Sequence, residues 1–242
     1  VGRLHYAITP RFALTSTHAQ MEMTQDLVRE FSDAYVQTHV NESLGEIEFV
    51  RELFPNLPDY VGVYEHYGLL GPKTLLGHCI HMTDREIEAL SETGSVAVFC
   101  PTSNLFIGSG LFDRERLMKS NVRIGVATDV GGGTSYSMLR TLDEGYKVLQ
   151  LRGQRLSPLE SFFMMTLGNA RALSLEHTIG TLEPGSDADI VVLDARALSH
   201  MALKMEQVES LSEELFLLQT CGDDRVIAET YVAGEAAKAR LR

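Results

Sequence analysis

The 242 residues, 44% of them hydrophobic, suffice to bury a substantial core as one large domain or one domain with an appendage. A net charge of -12, with no Lys/Arg cluster to offset it, excludes a phosphate-backbone binder and so argues against a nucleic-acid partner. No apolar run has the length of a membrane span, the start lacks a signal-peptide profile, and Cys79, Cys100 and Cys221 form no Cys-x-x-Cys pair, so no membrane partner and a cytoplasmic location are expected.

Strand and helix signals alternate along the chain about five times, the pattern of parallel βα units. Leu4 to Ile8 reads as a first strand, and a helix is expected after Ser16 or Thr17, with Met23, Leu27 and Phe31 as its apolar stripe. Tyr35 to Thr38 reads as the next strand and Thr74 to Gly77 as another. Thr83 and Glu86 form a capping box that opens a helix directly afterwards. Val96 to Cys100 and Ile124 to Thr128 follow as short, buried-type strands. Ser157-Pro158-Leu159-Glu160 starts a helix expected to run to about Ala172. Beyond Gly180 a turn at Glu183-Pro184-Gly185 separates strands at Ile190 to Leu193 and Val226 to Val232. A domain boundary is placed near Ile179, giving 1–179 and 180–242.

His39, Glu42, His78 and Asp129 stand at or just after the ends of these strands, where parallel α/β proteins build their sites. Two imidazoles and two carboxylates can hold a divalent metal and move protons around a bound water, but they fall short of a closed ligand set. Glu42 lies three residues after His39, in a loop that can return to the same cavity. His78-x-x-His81 has metal-like spacing, yet only His78 is read as functional, with His81 solvated or capping the following helix. A carboxylate at Asp129, after an apolar run, is costly unless a metal or hydrogen bonds use it. The triplet Gly131-Gly132-Gly133 lacks any phosphate-binding context and reads as close backbone packing. Cysteine spacing excludes the cytidine-deaminase zinc signature.

Thr9-Pro10-Arg11-Phe12, Gln37 to Glu42, Gly77-His78, Cys100-Pro101-Thr102-Ser103-Asn104-Leu105, Thr128 to Gly132 and Gly222-Asp223-Asp224-Arg225 together resemble the guanine deaminases, a branch of the amidohydrolase superfamily. The stretch Gly180 to Val192 is similar to the family's return into a small β-domain. The resemblance implies an α/β fold: part of a (β/α)8 TIM-like barrel in 1–179, and in 180–242 a segment of the small flanking β-domain. It implies hydrolytic deamination of guanine to xanthine and ammonia, with one divalent metal, zinc or alternatively iron. His39 and Asp129 become metal ligands. Glu42 carries protons, His78 hydrogen-bonds the water on the metal, Asp129 accepts the water's proton, and Arg11 and Phe12 hold the purine. The family's first-strand His-x-His is absent from these residues, and about five barrel strands stand where eight are needed, so a C-terminal portion is expected, inactive alone. A homodimer or association with the missing barrel half is the implied assembly. The open alternatives are a related hydrolase acting on a triazine, pterin or adenosine derivative, and a non-catalytic half-barrel that needs a partner.

Overall fold

The computed structural model describes residues 2–238. Its strands are β1 (Ala7–Ile8), β2 (Tyr35–Val40), β3 (Thr74–His78), β4 (Val96–Phe99), β5 (Arg123–Val126), β6 (Ile190–Leu193), β7 (Ile227–Val232) and β8 (Glu235–Ala236). The first five form one sheet in chain order and the last three a second sheet. The chain falls into two compact units, one built up to Cys100 and from Asn104–Gly125, the other from Pro101–Ser103 and from Val126 onwards. That division reports packing; the separation of barrel from β-domain near Ile179 is a different one, carried forward as a proposal.

In the first unit β1, β2, β3 and β4 pair in parallel. Parallel neighbours require a crossover, and helices Leu44–Leu53 and Tyr60–His66 supply it between β2 and β3, Asp84–Thr93 between β3 and β4. Sequence starts each helix: Ser43 with Glu46 and Thr83 with Glu86 form capping boxes, and the Asp59 side chain accepts from the Gly62 amide. Glu86, 2% exposed, does more than cap, because its other oxygen accepts the Val61 amide of the neighbouring helix at 3.3 Å. Val36, Val40, Leu76, Val96 and Phe99 are buried strand residues, and Phe99 stacks on Phe112 at 4.6 Å. In register, His39 lies opposite Gly77 and Val40 opposite His78, so the C-terminal ends of β2 and β3 are level.

Three expectations change. The first strand pairs only over Ala7–Ile8, leaving Leu4 and Tyr6 exposed. Helix His18–Glu30, capped by Thr17 as expected, buries Met21 and Thr24 instead of the stripe Met23, Leu27 and Phe31. The Thr24 hydroxyl can go inward because it donates to the Gln20 carbonyl at 2.8 Å, and the apolar stripe lines an open groove with Leu4, Tyr6 and Ile8. β2 runs two residues further than expected, which makes His39 its penultimate residue.

In the second unit the Ser157 capping box opens helix Pro158–Phe163, continued by a π-helical turn Met164–Gly168 and by Asn169–Ala172. Leu139, Met201, Leu217, Leu218 and Val226 form a core there, and Gln219 Nε2 donates to the Leu142 carbonyl at 3.0 Å. β6, β7 and β8 are antiparallel, with a register shift at Val192/Leu193.

Burial raises the Glu46 carboxyl above its ordinary range, against the opposing pull of the Ser43 amide that it accepts. A carboxyl raised in the folded state favours folding while protonated, so its contribution is present at low pH and is lost as pH climbs through the raised value. Glu46→Gln keeps an acceptor for Ser43. It is expected to flatten the fall in urea midpoint between about pH 4 and about pH 8 relative to the parent chain; parallel curves for the two proteins would contradict this.

Candidate active site

The Arg11 carbonyl anchors the first part of the site. It accepts from His39 Nδ1 at 2.7 Å and from the His39 backbone amide at 3.4 Å. A carbonyl oxygen only accepts, so the Nδ1 of His39 carries a proton, and in the neutral ring that leaves the lone pair on Nε2. Ligand histidines characteristically donate their second ring nitrogen to a carbonyl in this way, and half-buried His39 therefore fits as a metal donor. Phe12 lies on the same ring, centroids 4.0 Å apart and planes within 26°.

Tyr64, fully buried, locks this arrangement. Its oxygen accepts from the Ala13 amide at 3.1 Å and from the Thr38 hydroxyl at 2.9 Å, while its own hydrogen goes to the His39 carbonyl at 2.7 Å. Thr38 Oγ1 also lies 3.3 Å from the Arg11 carbonyl, but its one hydrogen serves the shorter bond to Tyr64. Desolvation pushes the Tyr64 phenol up to about 12, so it remains a neutral donor over ordinary pH. One phenol thus joins the loop after β1 to the end of β2.

The end of β3 folds back over β2. The Val40 carbonyl accepts the Cys79 amide at 3.1 Å, and the Asn41 carbonyl accepts those of Ile80 and His81 at 3.2 and 3.1 Å. Asn41, His78 and Cys79 consequently hold left-handed backbone angles, with φ of 51°, 76° and 49°. Such angles cost energy in residues other than glycine and persist where surrounding bonds over-determine them. The turn places the His78 ring 5.2 Å from that of His39 and its Nε2 3.5 Å from Glu42 Oε2. Glu42 Oε1 accepts from Ser109 Oγ at 2.9 Å, and Asn104 Nδ2 lies 2.9 Å from His78 Nδ1. His81 is neither solvated nor a cap: its Nε2 lies 2.9 Å from the Ser109 carbonyl, which it supports as a donor.

Arg11, Phe12, His39, Glu42 and His78 therefore lie together within the first unit, Arg11 through its carbonyl and Phe12 through its ring. Tyr64, Asn104, Ser109 and His81 were missed as supporting groups. Of these, Asn104 sits within the Cys100–Leu105 stretch that carried the resemblance, while nothing in Tyr60-Val61-Gly62-Val63-Tyr64 marks Tyr64 as a hydrogen-bonding hub.

Asp129 belongs to the second unit. β5 stops at Val126, two residues short of the expected end, because the Asn169 side chain takes over both backbone groups of Val126 at 2.9 and 3.0 Å. The Thr128 carbonyl accepts from Thr102 Oγ1 at 3.1 Å. Asp129 follows in a left-handed conformation, φ 46°, and its carbonyl accepts the Gly133 amide at 2.5 Å. A Cβ at Gly133 would fall 1.9 Å from the Thr128 carbonyl, so this member of the triplet serves close backbone packing. The next helix, Met138–Leu151, is capped by Ser137, which removes helix capping as an explanation of Asp129. Among the described residues no helix is long and apolar enough to cross a membrane.

Comparison with known proteins places this geometry. The profile described as "Amidohydrolase family" matches residues 2–237, and the chain belongs to the amidohydrolase family. Its five-stranded sheet is part of a barrel of that type. A guanine deaminase from Escherichia coli is 48% identical over 233 residues, 96% of this chain and 53% of that protein. A solved structure of E. coli guanine deaminase superposes with a TM-score of 0.96 at 47% identity, over 98% of this chain and 55% of its own. Guanine deaminase from C. acetobutylicum, solved with guanine in its active site, superposes with a TM-score of 0.86 at 28% identity, over 95% and 54%. The chain thus spans about half the length of the curated relatives it matches.

Tyr64→Phe removes one oxygen and leaves the Ala13 amide, the Thr38 hydroxyl and the His39 carbonyl to find other partners. The expected loss is about 2–4 kcal/mol in chemical denaturation, together with faster exchange of the Ala13 amide. Stability and exchange equal to the parent would show that the phenol is not the lock.

Proposed function

We propose that this chain carries the substrate-binding and proton-transfer part of an aminohydrolase that converts guanine to xanthine and ammonia in purine catabolism. The observation that supports it best is the Arg11-Phe12 pair, clamped by its own backbone against His39, beside the His78–Glu42 pair. Phe12 offers a ring face for the purine, and exposed Arg11 offers donors that match a purine carbonyl oxygen and oppose the amino group adenine carries there.

His39 through Nε2 and Asp129 through its carboxylate would hold one divalent metal, zinc, with iron as the alternative, since imidazole and carboxylate suit both. His39 and Asp129 are two donors, and the family's His-x-His, which does not occur in these residues, would add two more to the set. When bound, the metal supplies a water whose pKa drops from about 15.7 to roughly 7. Asp129 takes the proton released as the water's oxygen bonds to the ring carbon bearing the amine, and His78 hydrogen-bonds that oxygen. Glu42 relays this proton to the adjacent ring nitrogen and then passes the remaining hydroxyl proton, released as the carbonyl forms, to the amine, which departs as ammonia. Ser109, by occupying Glu42 Oε1, leaves Oε2 for this transfer. The proposed domains are barrel up to residue 179 and β-domain from 180. A cytoplasmic homodimer is the proposed setting, supported for location by three free cysteines.

The test is ammonia release from guanine, run on the zinc-loaded chain and on the chain co-expressed with the remaining half of the E. coli relative. Release from the co-expressed preparation and not from the chain alone, with Arg11→Ala reducing kcat/KM by about 10- to 100-fold for the loss of one charged hydrogen bond, is the expected result. Ammonia from neither preparation, or only from a triazine, pterin or adenosine, would overturn the assignment to guanine.

A further inference from the structure

Helix Pro101–Ile107 and the turn after it touch both members of the His78–Glu42 pair. Asn104 is 1% exposed, and its Nδ2 lies 2.9 Å from His78 Nδ1. The turn is fixed to the same residue, since the Asn104 carbonyl accepts the amides of Gly108 at 3.1 Å and Ser109 at 2.9 Å. Gly108 adopts φ 80°, which lets the chain reverse so that Ser109 reaches Glu42 Oε1. The His81 ring holds the Ser109 carbonyl from the opposite direction. A single short element therefore addresses a histidine through its amide and a carboxylate through its hydroxyl.

The two nitrogens of His78 face different chemistry. At Nδ1 stands an amide N–H, which requires a lone pair on the ring; at Nε2 stands a carboxylate oxygen, 3.5 Å away, which only accepts. Both demands are met by one neutral tautomer, protonated at Nε2. The opposite orientation of the Asn104 amide would set acceptors at both nitrogens and leave its N–H groups where Oδ1 now lies buried without a partner among the described residues.

We propose that Asn104 is a positioning residue that fixes His78 as the Nε2–H tautomer, so that His78 works as a neutral hydrogen-bond donor, facing Glu42 in the resting chain and turning its one hydrogen to the attacking water in the reaction. This rests on the proposed role of His78 in the reaction, but the ring state exists without substrate or metal and is measurable separately. Ser109 complements it by leaving Glu42 Oε2 as the acceptor that Nε2–H faces. A buried asparagine present only for packing would impose no tautomer.

Ring-nitrogen NMR on the metal-free chain, with His78 assigned by its loss in His78→Gln, reads the protonation of each nitrogen directly. The parent is expected to show a proton at Nε2 and an unprotonated Nδ1. Asn104→Asp presents an acceptor to Nδ1 and is expected to protonate it; Ser109→Ala is expected to leave Nδ1 unprotonated. A parent spectrum with a proton on Nδ1, or an Asn104→Asp spectrum with Nδ1 still bare, would overturn the proposal. The parent spectrum decides by itself if Asn104→Asp does not fold. Absence of guanine turnover would sink the proposed reaction and leave this spectrum unaltered, so the two failures are distinguishable.

Discussion

The first unit's site depends on where one backbone oxygen points. By accepting the Nδ1–H and the amide of His39, the Arg11 carbonyl sets the tautomer of a candidate metal donor and at once decides where Arg11 and Phe12 can be. The proposed substrate platform and the proposed metal donor are joined through a bond that involves no side chain of Arg11 or Phe12. Tyr64 makes the joint rigid from below, as a buried neutral phenol satisfied on three sides. Preorganisation of this kind is what active sites on strand ends require, because a small displacement of the donor or of the ring platform weakens transfer steeply.

A second support comes from later in the chain. The left-handed turn at His78 and Cys79 needs outside restraint, and it receives it from the ends of β2 and from Asn104. Glu42 is held in turn by Ser109. Strain sits where the candidate catalytic groups are, and the hydrogen bonds that maintain it come from the β3 turn and from the helix after β4. In the second unit Asn169, Thr102 and Gly133 play the comparable part for the backbone leading into Asp129.

His39, Glu42 and His78 were legible because parallel pairing brings strand ends level, and the runs preceding those residues were recognisably strands. Capping boxes at Thr83 and Ser157 were legible for a similar reason: their hydrogen bonds are local. The supports were not, since Ser109 meets Glu42 across 67 residues and Tyr64 meets Ala13 across 51, and spacing says nothing about such pairs. His81 was read from its local neighbours and found a carbonyl 28 residues on. The stripe Met23, Leu27 and Phe31 shows the same limit. Its helical period was right, but the inward direction was taken by Met21 and Thr24, because a threonine that bonds its own helix loses little on burial.

The central claim is that the Arg11 carbonyl presents His39 to a metal through Nε2. Ring-nitrogen NMR of His39 before and after zinc addition tests it most directly. Protonation at Nδ1 in the metal-free chain, with zinc perturbing Nε2, is the predicted result. A proton on Nε2, or a zinc effect confined to Nδ1, would contradict the account.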